Sequence, residues 1–304
     1  MQFPFFRRCS EAGNQFSQLG RTVTLRRLII GCGYLGRRVA QRWLAQGDTV
    51  SALTRSIERA EELRKLGIEP IVGDVTEPAS LPAFPDADTL LFAVGLDRSS
   101  GKTQREIQVD GLGSVLERVG KSAGRVILIS STSVYGQTGG EWVDESSECR
   151  PQSPNGQVCL DAEKLLQERL PRANILRLAG IYGPGRIIAR VAELRAGLPL
   201  EGNPDAWLNL IHVDDAARAV LACSRLGEPG AIYVVADGNP VRRREYYSFL
   251  AALVGAPRPA VREAATESLG KRSTNRLLRE ELQVTLRYPT IRVGLPDALS
   301  MRDA

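Results

Sequence analysis

Three glycines with the spacing Gly-x-Gly-x-x-Gly, Gly31, Gly33 and Gly36, come between the apolar run 28–30 and a helical pattern of apolar residues. In such a segment the first glycine permits a tight turn. The second lets backbone N–H groups approach a phosphate, and the third lets the helix pack close to the strand. The helix N-terminus adds free N–H donors and the positive end of its dipole. The segment predicts a dinucleotide pyrophosphate site contacted by residues 31 and 33–36 (Gly31, Gly33, Tyr34, Leu35 and Gly36), with an ordinary glycine-rich turn as the alternative.

The residues that discriminate NAD from NADP come about 20 positions after such a turn, at the end of the next strand. Here they are Thr54, Arg55 and Ser56, without an acid that would accept hydrogen bonds from the ribose 2′-hydroxyl. The Arg55 guanidinium can bind a 2′-phosphate in a bidentate manner, and the two hydroxyls can donate to it. Arg59, one helical turn further on, adds positive charge. The sequence therefore favours NADP over NAD, and the alternative for Arg55 is a solvated loop charge.

Further cofactor contacts are predicted where the next strands end. Asp74 and Val75 follow the third strand, and the Asp74 carboxylate is placed to bond the adenine amine, with a turn-capping role as the alternative. Small residues after the fourth strand allow close backbone approach to a ligand. The contacts predicted after the fourth and fifth strands are Ala93, Val94, Gly95 and Ser130.

Strand and helix patterns alternate from Leu25 to Ser130, and their strands are near-continuous apolar runs of the kind that helices cover on both faces. Right-handed crossovers then predict an α/β fold with a doubly wound, Rossmann-type parallel sheet and a smaller mixed C-terminal lobe. The later predicted strands are 89–94, 125–130 and 174–178, and a helix is predicted over 158–168.

The predicted organisation has three parts. Residues 1–24 lack clear periodicity and form a flexible extension, for which an organelle transit peptide is the alternative because the segment bears Arg and is poor in acidic residues. Residues 25–180 form the NAD(P)-binding Rossmann domain. Residues 181–304 form the substrate-side lobe, with some segments returning to the Rossmann sheet.

The motif Ser-Ser-Thr-Ser-Val-Tyr-Gly at 130–136 resembles one in a known family. Further matching motifs are 176–178 with 181–185, 211–215 and 233–240. With these motifs in this order, the chain resembles the extended branch of the short-chain dehydrogenase/reductases over residues 25–295. This branch contains the NAD(P)-dependent sugar-nucleotide epimerases and dehydratases. The resemblance implies an NAD(P)-dependent enzyme, and it implies a homodimer formed through two helices of the Rossmann domain.

The resemblance also implies two catalytic features, of which the chain retains one. Ser131 stands where family members bond the substrate oxygen, although a serine here can also cap the following turn. The Tyr-x-x-x-Lys pair, which takes and returns the hydroxyl proton, is replaced by Asn155 and Cys159. An amide has no useful acid/base pKa, and the sequence supplies no cation that would activate the thiol. Lys164 follows five residues later and faces another side of the helix.

Three alternatives for the chemistry follow from this departure. In the first, another residue acts as the acid/base, with Tyr135, Tyr182 and Asp161 as candidates. In the second, hydride transfer is completed by protonation from solvent. In the third, NADP(H) binds without turnover. The favoured prediction is an NADP-dependent oxidoreductase or epimerase-like enzyme acting on a small carbonyl or hydroxyl compound or a nucleotide sugar. The alternative is a non-catalytic NADP(H)-binding sensor or scaffold.

His212, the single histidine, precedes a helical run, and it is predicted to be structural rather than catalytic. Asp214 or Asp215 is predicted to cap that helix. The basic segments 242–244 and 270–276 are predicted to be solvated, with contacts to an anionic substrate as the alternative.

The composition excludes several classes of protein. The 304 residues carry a net charge of +5 that is spread along the chain, which does not indicate a nucleic-acid surface. Five cysteines without metal-ligand spacing predict reduced thiols, no bound metal and a cytoplasmic location. No run of about 20 apolar residues that would span a membrane is present, and no secretory signal is predicted.

Overall fold

A computed structural model describes residues 23–119, 123–200, 202–261 and 267–300, with only the backbone at position 98. Nearly all of the predicted extension 1–24 lies outside these residues. The strands are β1 (Arg26–Ile30), β2 (Thr49–Thr54), β3 (Glu69–Val72), β4 (Ala87–Phe92), β5 (Ala123–Ser131), β6 (Gly139–Val143), β7 (Asn174–Leu178), β8 (Gly180–Tyr182), β9 (Trp207–Leu208), β10 (Leu210–His212), β11 (Ile232–Val235), β12 (Val241–Arg242) and β13 (Gly270–Ser273). The helices are α1 (Tyr34–Ala45), α2 (Ile57–Lys65), α3 (Gly111–Val119), α4 (Pro154–Arg169), α5 (Ile188–Arg195), α6 (Val213–Leu226), α7 (Arg243–Leu253), α8 (Arg276–Glu280) and α9 (Ile291–Leu299). A π-helical turn, Glu106–Asp110, leads directly into α3.

Seven parallel strands form the central sheet in the order β11-β7-β5-β4-β1-β2-β3. The chain runs outward from β1 to β3 and then returns to β4 on the other side of β1. Ligands of such sheets bind in the crevice at this reversal, outside the carboxyl ends of the strands. The predicted doubly wound α/β fold is confirmed.

Helices cover both faces of the sheet, which explains the near-continuous apolar strands. On one face α1 packs against α6, with Val39, Trp43 and Val220 fully buried in a shared cluster. On the other face α3 and α4 bury Leu112 and Leu166 against the strands. The two layers fix where the carboxyl ends of β1, β4 and β5 meet.

A smaller lobe surrounds a core of its own. Helices α5, α7 and α9 pack around Leu194, Leu250 and Leu295. Two-stranded sheets pair β8 with β10, β9 with β12 and β6 with β13. Between these segments the chain returns to the main sheet through α6 and β11. No helix in the described part of the chain combines the length and apolar character needed to cross a membrane.

Candidate functional site

The glycine turn lies at the reversal of the sheet, where close packing requires glycine. Gly31 has φ +97°, and a Cβ there would lie 2.6 Å from the backbone of Ala93 after β4. A Cβ at Gly36 would lie 2.5 Å from the Gly31 carbonyl oxygen, so the third glycine brings α1 close to β1. Around Gly33 a Cβ would meet no atom within 4 Å. The backbone at the start of α1 therefore faces open space that a phosphate can fill.

A cavity of about 1180 Å³ extends from this turn along the carboxyl edge of the sheet. Apart from Gly36, which packs behind the turn, every residue predicted to contact the cofactor lines it. These residues are Gly31, Gly33, Tyr34, Leu35, Thr54, Arg55, Ser56, Asp74, Val75, Ala93, Val94, Gly95 and Ser130. The lining fits a dinucleotide, because it combines the open turn with polar groups where β2 and β3 end. Among the described residues no cluster of His, Cys, Asp and Glu could hold a metal ion.

Arg55 has an acidic partner that the sequence pattern did not reveal. Its Nη2 lies 2.5 Å from the Asp97 carboxylate, which comes from the loop after β4. Hydrogen bonds from Ser99 and Arg55 lower the pKa of Asp97 to about 2, so the pair is ionised at neutral pH. Both side chains line the cavity and are partly exposed. A phosphate that binds Arg55 would therefore compete with Asp97.

Two other residues near this end have local structural roles as well. Ser56 caps α2, because its hydroxyl accepts a hydrogen bond from the Arg59 N–H over 3.2 Å. The Asp74 carboxylate accepts from the N–H and the hydroxyl of Thr76 over 2.8 Å, which is the turn-capping role given as its alternative. Since both also line the cavity, these roles leave ligand contacts open to them.

The other end of the cavity is formed by the segment after β5 and the start of α4. Ser131 caps the turn that follows it, because its hydroxyl accepts from the Ser133 N–H over 3.1 Å. Ser131, Ser133, Ser153 and Asn155 line the cavity together. This end presents hydroxyls and an amide to a ligand where the family motif has a phenol and an ammonium group.

Cys159, at the lysine position of the motif, is 8% exposed and belongs to a polar cluster. Its thiol donates to the Gln108 side-chain oxygen over 3.9 Å, and the Gln104 amide donates to the same oxygen over 2.9 Å. Burial raises the pKa of Cys159, so the thiol is neutral at physiological pH. The Gln104 side-chain oxygen is buried and has no hydrogen-bond partner in the described part of the chain. Both glutamines line the cavity.

The two tyrosines considered as replacement acid/base groups do not line the cavity. Tyr135 is 2% exposed, and its hydroxyl accepts a hydrogen bond from Arg177 over 2.9 Å. Tyr182 is 3% exposed, and its hydroxyl points at Gly294 of α9, where a Cβ would lie 1.9 Å away. Burial raises the pKa of both phenols well above the usual value. Asp161 is held in an ion pair with Arg105 at 2.6 Å, also outside the cavity lining. The geometry thus disfavours all three as proton carriers.

A buried polar network lies directly behind the cavity wall. The Ser130 hydroxyl donates to the Glu163 carboxylate over 2.5 Å, and Arg177 binds the same carboxylate through Nη2 at 2.7 Å and through Nε. Glu163 is 1% exposed and Arg177 4%. Since Glu163 belongs to α4 and the other two residues to β5 and β7, the network fixes α4 against the sheet.

His212 has a structural role that differs in detail from the prediction. Its imidazole Nδ1 caps α6 by accepting from the Asp214 N–H over 3.3 Å, so the predicted capping by Asp214 or Asp215 is wrong. Asp214 instead pairs with Arg42 at 3.0 Å, and Asp215 accepts two backbone N–H groups from residues 287 and 288. Both carboxylates are engaged elsewhere, which leaves the helix end to the imidazole.

The two basic segments of the lobe lie outside the cavity lining. Arg242 stacks on the Trp207 ring with 3.7 Å between its Cζ and the ring centroid, and Arg244 pairs with Asp205. Arg272 lies 4.9 Å from the centroid of the Trp142 ring. These cations are therefore held by aromatic rings and carboxylates of the lobe itself.

Sequence reasoning missed several residues that line the cavity. They are Cys32, Asp97, Gln104, Gln108, Ser133 and Arg186. The two glutamines are four residues apart, as expected for one face of a helix. Arg186 follows a Gly-Pro-Gly turn, a position that signals a loop side chain at a site edge. The two glutamines and Arg186 therefore had a signal, but the signal had meaning only once the sheet order was known.

A doubly wound parallel sheet with a glycine turn at its reversal point defines a Rossmann-type dinucleotide-binding protein. Within this class, the chain belongs to the NAD dependent epimerase/dehydratase family, whose model matches residues 28–236. This finding confirms the resemblance to the extended short-chain dehydrogenase/reductases.

Similar proteins match over most of this chain. Protein YeeZ of Escherichia coli (strain K12) is 30% identical over 277 residues, which cover 86% of this chain and 95% of YeeZ. A 2-alkyl-3-oxoalkanoate reductase of Stenotrophomonas maltophilia is 28% identical over 249 residues, or 75% of each protein. The structure of MoeE5 in complex with UDP-glucose and NAD is 25% identical, with a TM-score of 0.73, and covers 90% of this chain and 97% of MoeE5. The similarity therefore includes the C-terminal lobe as well as the sheet.

Proposed function

We propose that this protein is an NADP-dependent oxidoreductase or epimerase-like enzyme that acts on a small carbonyl or hydroxyl compound or a nucleotide sugar. One observation carries the proposal. A single cavity joins the glycine turn and Arg55 to the polar groups that follow β5 and begin α4. A dinucleotide and a second small molecule can then occupy one continuous space. The similarity to a reductase and to MoeE5, which is in complex with UDP-glucose and NAD, supports a dinucleotide-dependent reaction on a small molecule.

Different residues along the cavity bind different parts of the cofactor and substrate. The backbone of residues 31–35 holds the pyrophosphate, and Arg55 with Thr54 and Ser56 holds the 2′-phosphate. NADP(H) supplies or accepts a hydride at its nicotinamide ring. Ser131 and Ser133 bind the substrate oxygen through their hydroxyls. Because the phenols are buried elsewhere and the Cys159 thiol is neutral, the accompanying proton is exchanged with water that enters beside the exposed Asn155.

The proposal is tested with a panel of small carbonyl compounds, for which NADPH absorbance is followed, and of nucleotide sugars with NADP(H), for which the products are separated by chromatography because epimerisation causes no net NADPH oxidation. We expect turnover of at least one compound, and a rate that falls when Ser131 and Ser133 are both replaced by Ala. The matched control is Ser146→Ala, which removes an exposed hydroxyl remote from the cavity lining. Absence of turnover with the whole panel, despite tight NADPH binding, contradicts an enzymatic function.

One observation favours a second candidate, a non-catalytic NADP(H)-binding sensor or scaffold. Among the described residues of the segment 131–159 that line the cavity, the only titratable group is the Cys159 thiol. Burial raises the pKa of that thiol. Binding of NADPH without turnover is the result that this candidate requires, so the same experiment decides between the two.

Cofactor choice gives a separate prediction. Replacing Arg55 by Asp should weaken NADPH binding by roughly tenfold to a hundredfold, because one charge-assisted phosphate contact is lost and a repulsive charge is introduced. NADH affinity should change less than threefold. Asp97→Asn should strengthen NADPH binding, since it frees Arg55 from its competing carboxylate. Affinities are measured by NADPH and NADH fluorescence titration.

Arg64→Asp is the matched control for this charge reversal, because Arg64 is exposed on α2 and lies outside the cavity lining. It should leave both affinities unchanged. Equal weakening of NADPH and NADH by Arg55→Asp contradicts the NADP assignment.

The family resemblance adds a homodimer to the proposal, formed through two helices of the Rossmann domain. Light scattering coupled to size-exclusion chromatography tests it, and a mass of about 33 kDa, that of one chain, contradicts it. A cytoplasmic location and the absence of a nucleic-acid partner stay predictions from composition.

A further inference from the structure

Arg186 follows the loop 182–185 and lines the cavity beside the glycine turn. Gly183 and Gly185 have φ +145° and +83°, and the Arg186 N–H donates to the Gly183 carbonyl over 3.1 Å. Positive φ at both glycines makes this turn unfavourable for other residues. A Cβ at Gly183 would lie 2.8 Å from the Tyr34 hydroxyl oxygen. The loop is therefore packed directly against Tyr34, the first residue of α1.

Two guanidinium groups lie over the Tyr34 ring, and only one of them is neutralised. The Arg38 Cζ is 4.4 Å from the ring centroid; its Nη1 donates to the Tyr34 carbonyl, and its Nε is 3.5 Å from Asp214. The Arg186 Cζ is 4.7 Å from the same centroid. Across the described residues no carboxylate lies within 4.0 Å of the Arg186 guanidinium, and the exposed Arg186 side chain lines the cavity.

The free cation stands beside a second positive group. Helix α1 begins at Tyr34 with no side-chain cap and no acidic residue in its first turn. The N-terminus of a helix carries the equivalent of about half a positive charge. Arg186 and this helix end repel each other until an anion binds to both. A guanidinium presents a planar fork that matches two phosphate oxygens, so an anion with several phosphate oxygens satisfies both groups.

We propose that Arg186 binds a diphosphate ester and completes the pyrophosphate site of the glycine turn from the opposite loop. The inference rests on the proposed function, because the diphosphate belongs either to NADP(H) or to a nucleotide-sugar substrate. The position of Arg186 over Tyr34 favours the cofactor as its source. In that case the loop after β8 contacts the dinucleotide, and cofactor binding is linked to the small lobe.

The test compares Arg186→Gln and Arg186→Lys with the full-length wild-type protein by NADPH fluorescence titration. Loss of a charge-assisted contact predicts a Kd for Arg186→Gln roughly tenfold to a hundredfold higher. Arg186→Lys keeps the charge but loses the planar fork, and we expect an intermediate Kd. Arg190→Gln is the matched control: it removes the same charge one helical turn further on, where Arg190 pairs with Glu193 outside the cavity lining. Its Kd should stay within twofold of wild type.

Two further ligands separate the sources of the diphosphate. Titration with 2′-AMP, which has a phosphate but no diphosphate, should give the same affinity for Arg186→Gln and wild type. Titration with UDP-glucose in saturating NADPH reports the substrate side. Weaker binding of NADPH supports the proposal with the cofactor as source, and weaker binding of UDP-glucose alone supports it with the substrate as source.

Other outcomes overturn the inference. Unchanged affinity of Arg186→Gln for both NADPH and UDP-glucose shows that the guanidinium binds no diphosphate, while the proposed function stands because the wild type binds NADPH. An equal loss of 2′-AMP and NADPH affinity shows a general effect on the fold or charge, and it also contradicts the contact. Failure of the wild type to bind either NADPH or UDP-glucose overturns this inference and the proposed function together.

Discussion

Replacing Glu163 by Ala should lower the free energy of unfolding by about 3–5 kcal/mol, a large part of the stability of an ordinary domain. The substitution leaves the Arg177 guanidinium buried at 4% exposure without its carboxylate. It also removes the acceptor of the Ser130 hydroxyl and opens a cavity between α4 and the sheet. An uncompensated buried charge costs far more than the net value of the ion pair, so the loss exceeds that of an ordinary hydrogen bond.

Urea unfolding followed by circular dichroism measures this effect. Glu168→Ala is the matched control, because Glu168 lies on the same helix and is exposed, and it should change the free energy of unfolding by less than about 0.5 kcal/mol. The double variant Glu163→Met with Arg177→Met should recover much of the loss, since it removes both charges and fills the space. A loss below about 1 kcal/mol for Glu163→Ala contradicts a structural role for the network.

A second substitution at this position gives information about the cavity wall. Ser130 both bonds Glu163 and lines the cavity, so its hydroxyl direction depends on the buried carboxylate. Glu163→Gln keeps the side-chain volume and one acceptor oxygen, although it leaves Arg177 without a counter-charge. If Glu163→Gln lowers both the free energy of unfolding and the affinity for NADPH, we attribute the two losses to the polar network. If it lowers the free energy of unfolding alone, we attribute the loss to packing.

The central sheet could be predicted because its strands have local sequence patterns that indicate them. The predicted strand 125–130, for example, contains the continuous apolar run 126–129, and the structure places β5 over it. The predicted strand 89–94 is observed at Ala87–Phe92, two residues earlier. Residues 93 and 94 leave the sheet to line the cavity, although the Ala93 N–H still donates to the Ile30 carbonyl over 2.7 Å.

Helix ends and long-range pairs were harder to predict. Helix α4 begins at Pro154 rather than at the predicted residue 158, because Ser153 caps it by accepting from the Gly156 N–H over 3.1 Å. Serine followed by proline at the first helical position was a usable signal. Strand β13 pairs with β6 across more than a hundred residues, and neither is long enough to show a period. Helix α9 contains Pro296, and a proline inside a sequence segment indicates a helix break.

The site residues also differ in whether local sequence or long-range contacts determine their roles. The glycine turn and Arg55 were predicted from spacing within one segment, and the structure places both at the cavity. The Glu163–Arg177 pair was missed because charged residues are almost always on the surface, and only the tertiary structure brings two buried opposite charges together. Asp97 was missed for the related reason that its partner is 42 positions away.

Replacing Asp237 by Asn should remove a pH dependence of stability. Asp237 follows β11 and is 3% exposed; one carboxylate oxygen accepts from the Asn239 N–H over 2.9 Å, and the other has no hydrogen-bond partner in the described part of the chain. Burial, with a smaller contribution from the Asp215 carboxylate, raises the pKa of Asp237 to about 7 from an ordinary value of 3.8. At pH 5 to 6 the folded protein therefore holds a proton that the unfolded chain has released.

The sign of the pH effect follows from this difference in bound protons. Between about pH 4 and pH 7 the unfolded state binds fewer protons than the folded state, so the free energy of unfolding falls as the pH rises. Above pH 7 the buried Asp237 carboxyl is ionised, and this ionisation lowers the free energy of unfolding by roughly 4 kcal/mol. An amide in place of the carboxylate would keep the acceptor for the Asn239 N–H and carry no charge. We therefore expect Asp237→Asn to match the wild type near pH 4 and to be more stable by up to about 4 kcal/mol at pH 8.

Urea unfolding at pH 4, 5, 6, 7 and 8 measures the difference between the two proteins. Asp86→Asn is the control, because the Asp86 side chain is 64% exposed and its loss should leave the wild-type pH profile in place. Tyr182, whose buried hydroxyl also has no partner among the described residues, carries a pKa raised by burial and by the Asp237 carboxylate, so it stays neutral across this range. Parallel profiles for Asp237→Asn and wild type would show that water or a shift of the loop solvates the carboxylate, and that its burial costs the fold nothing.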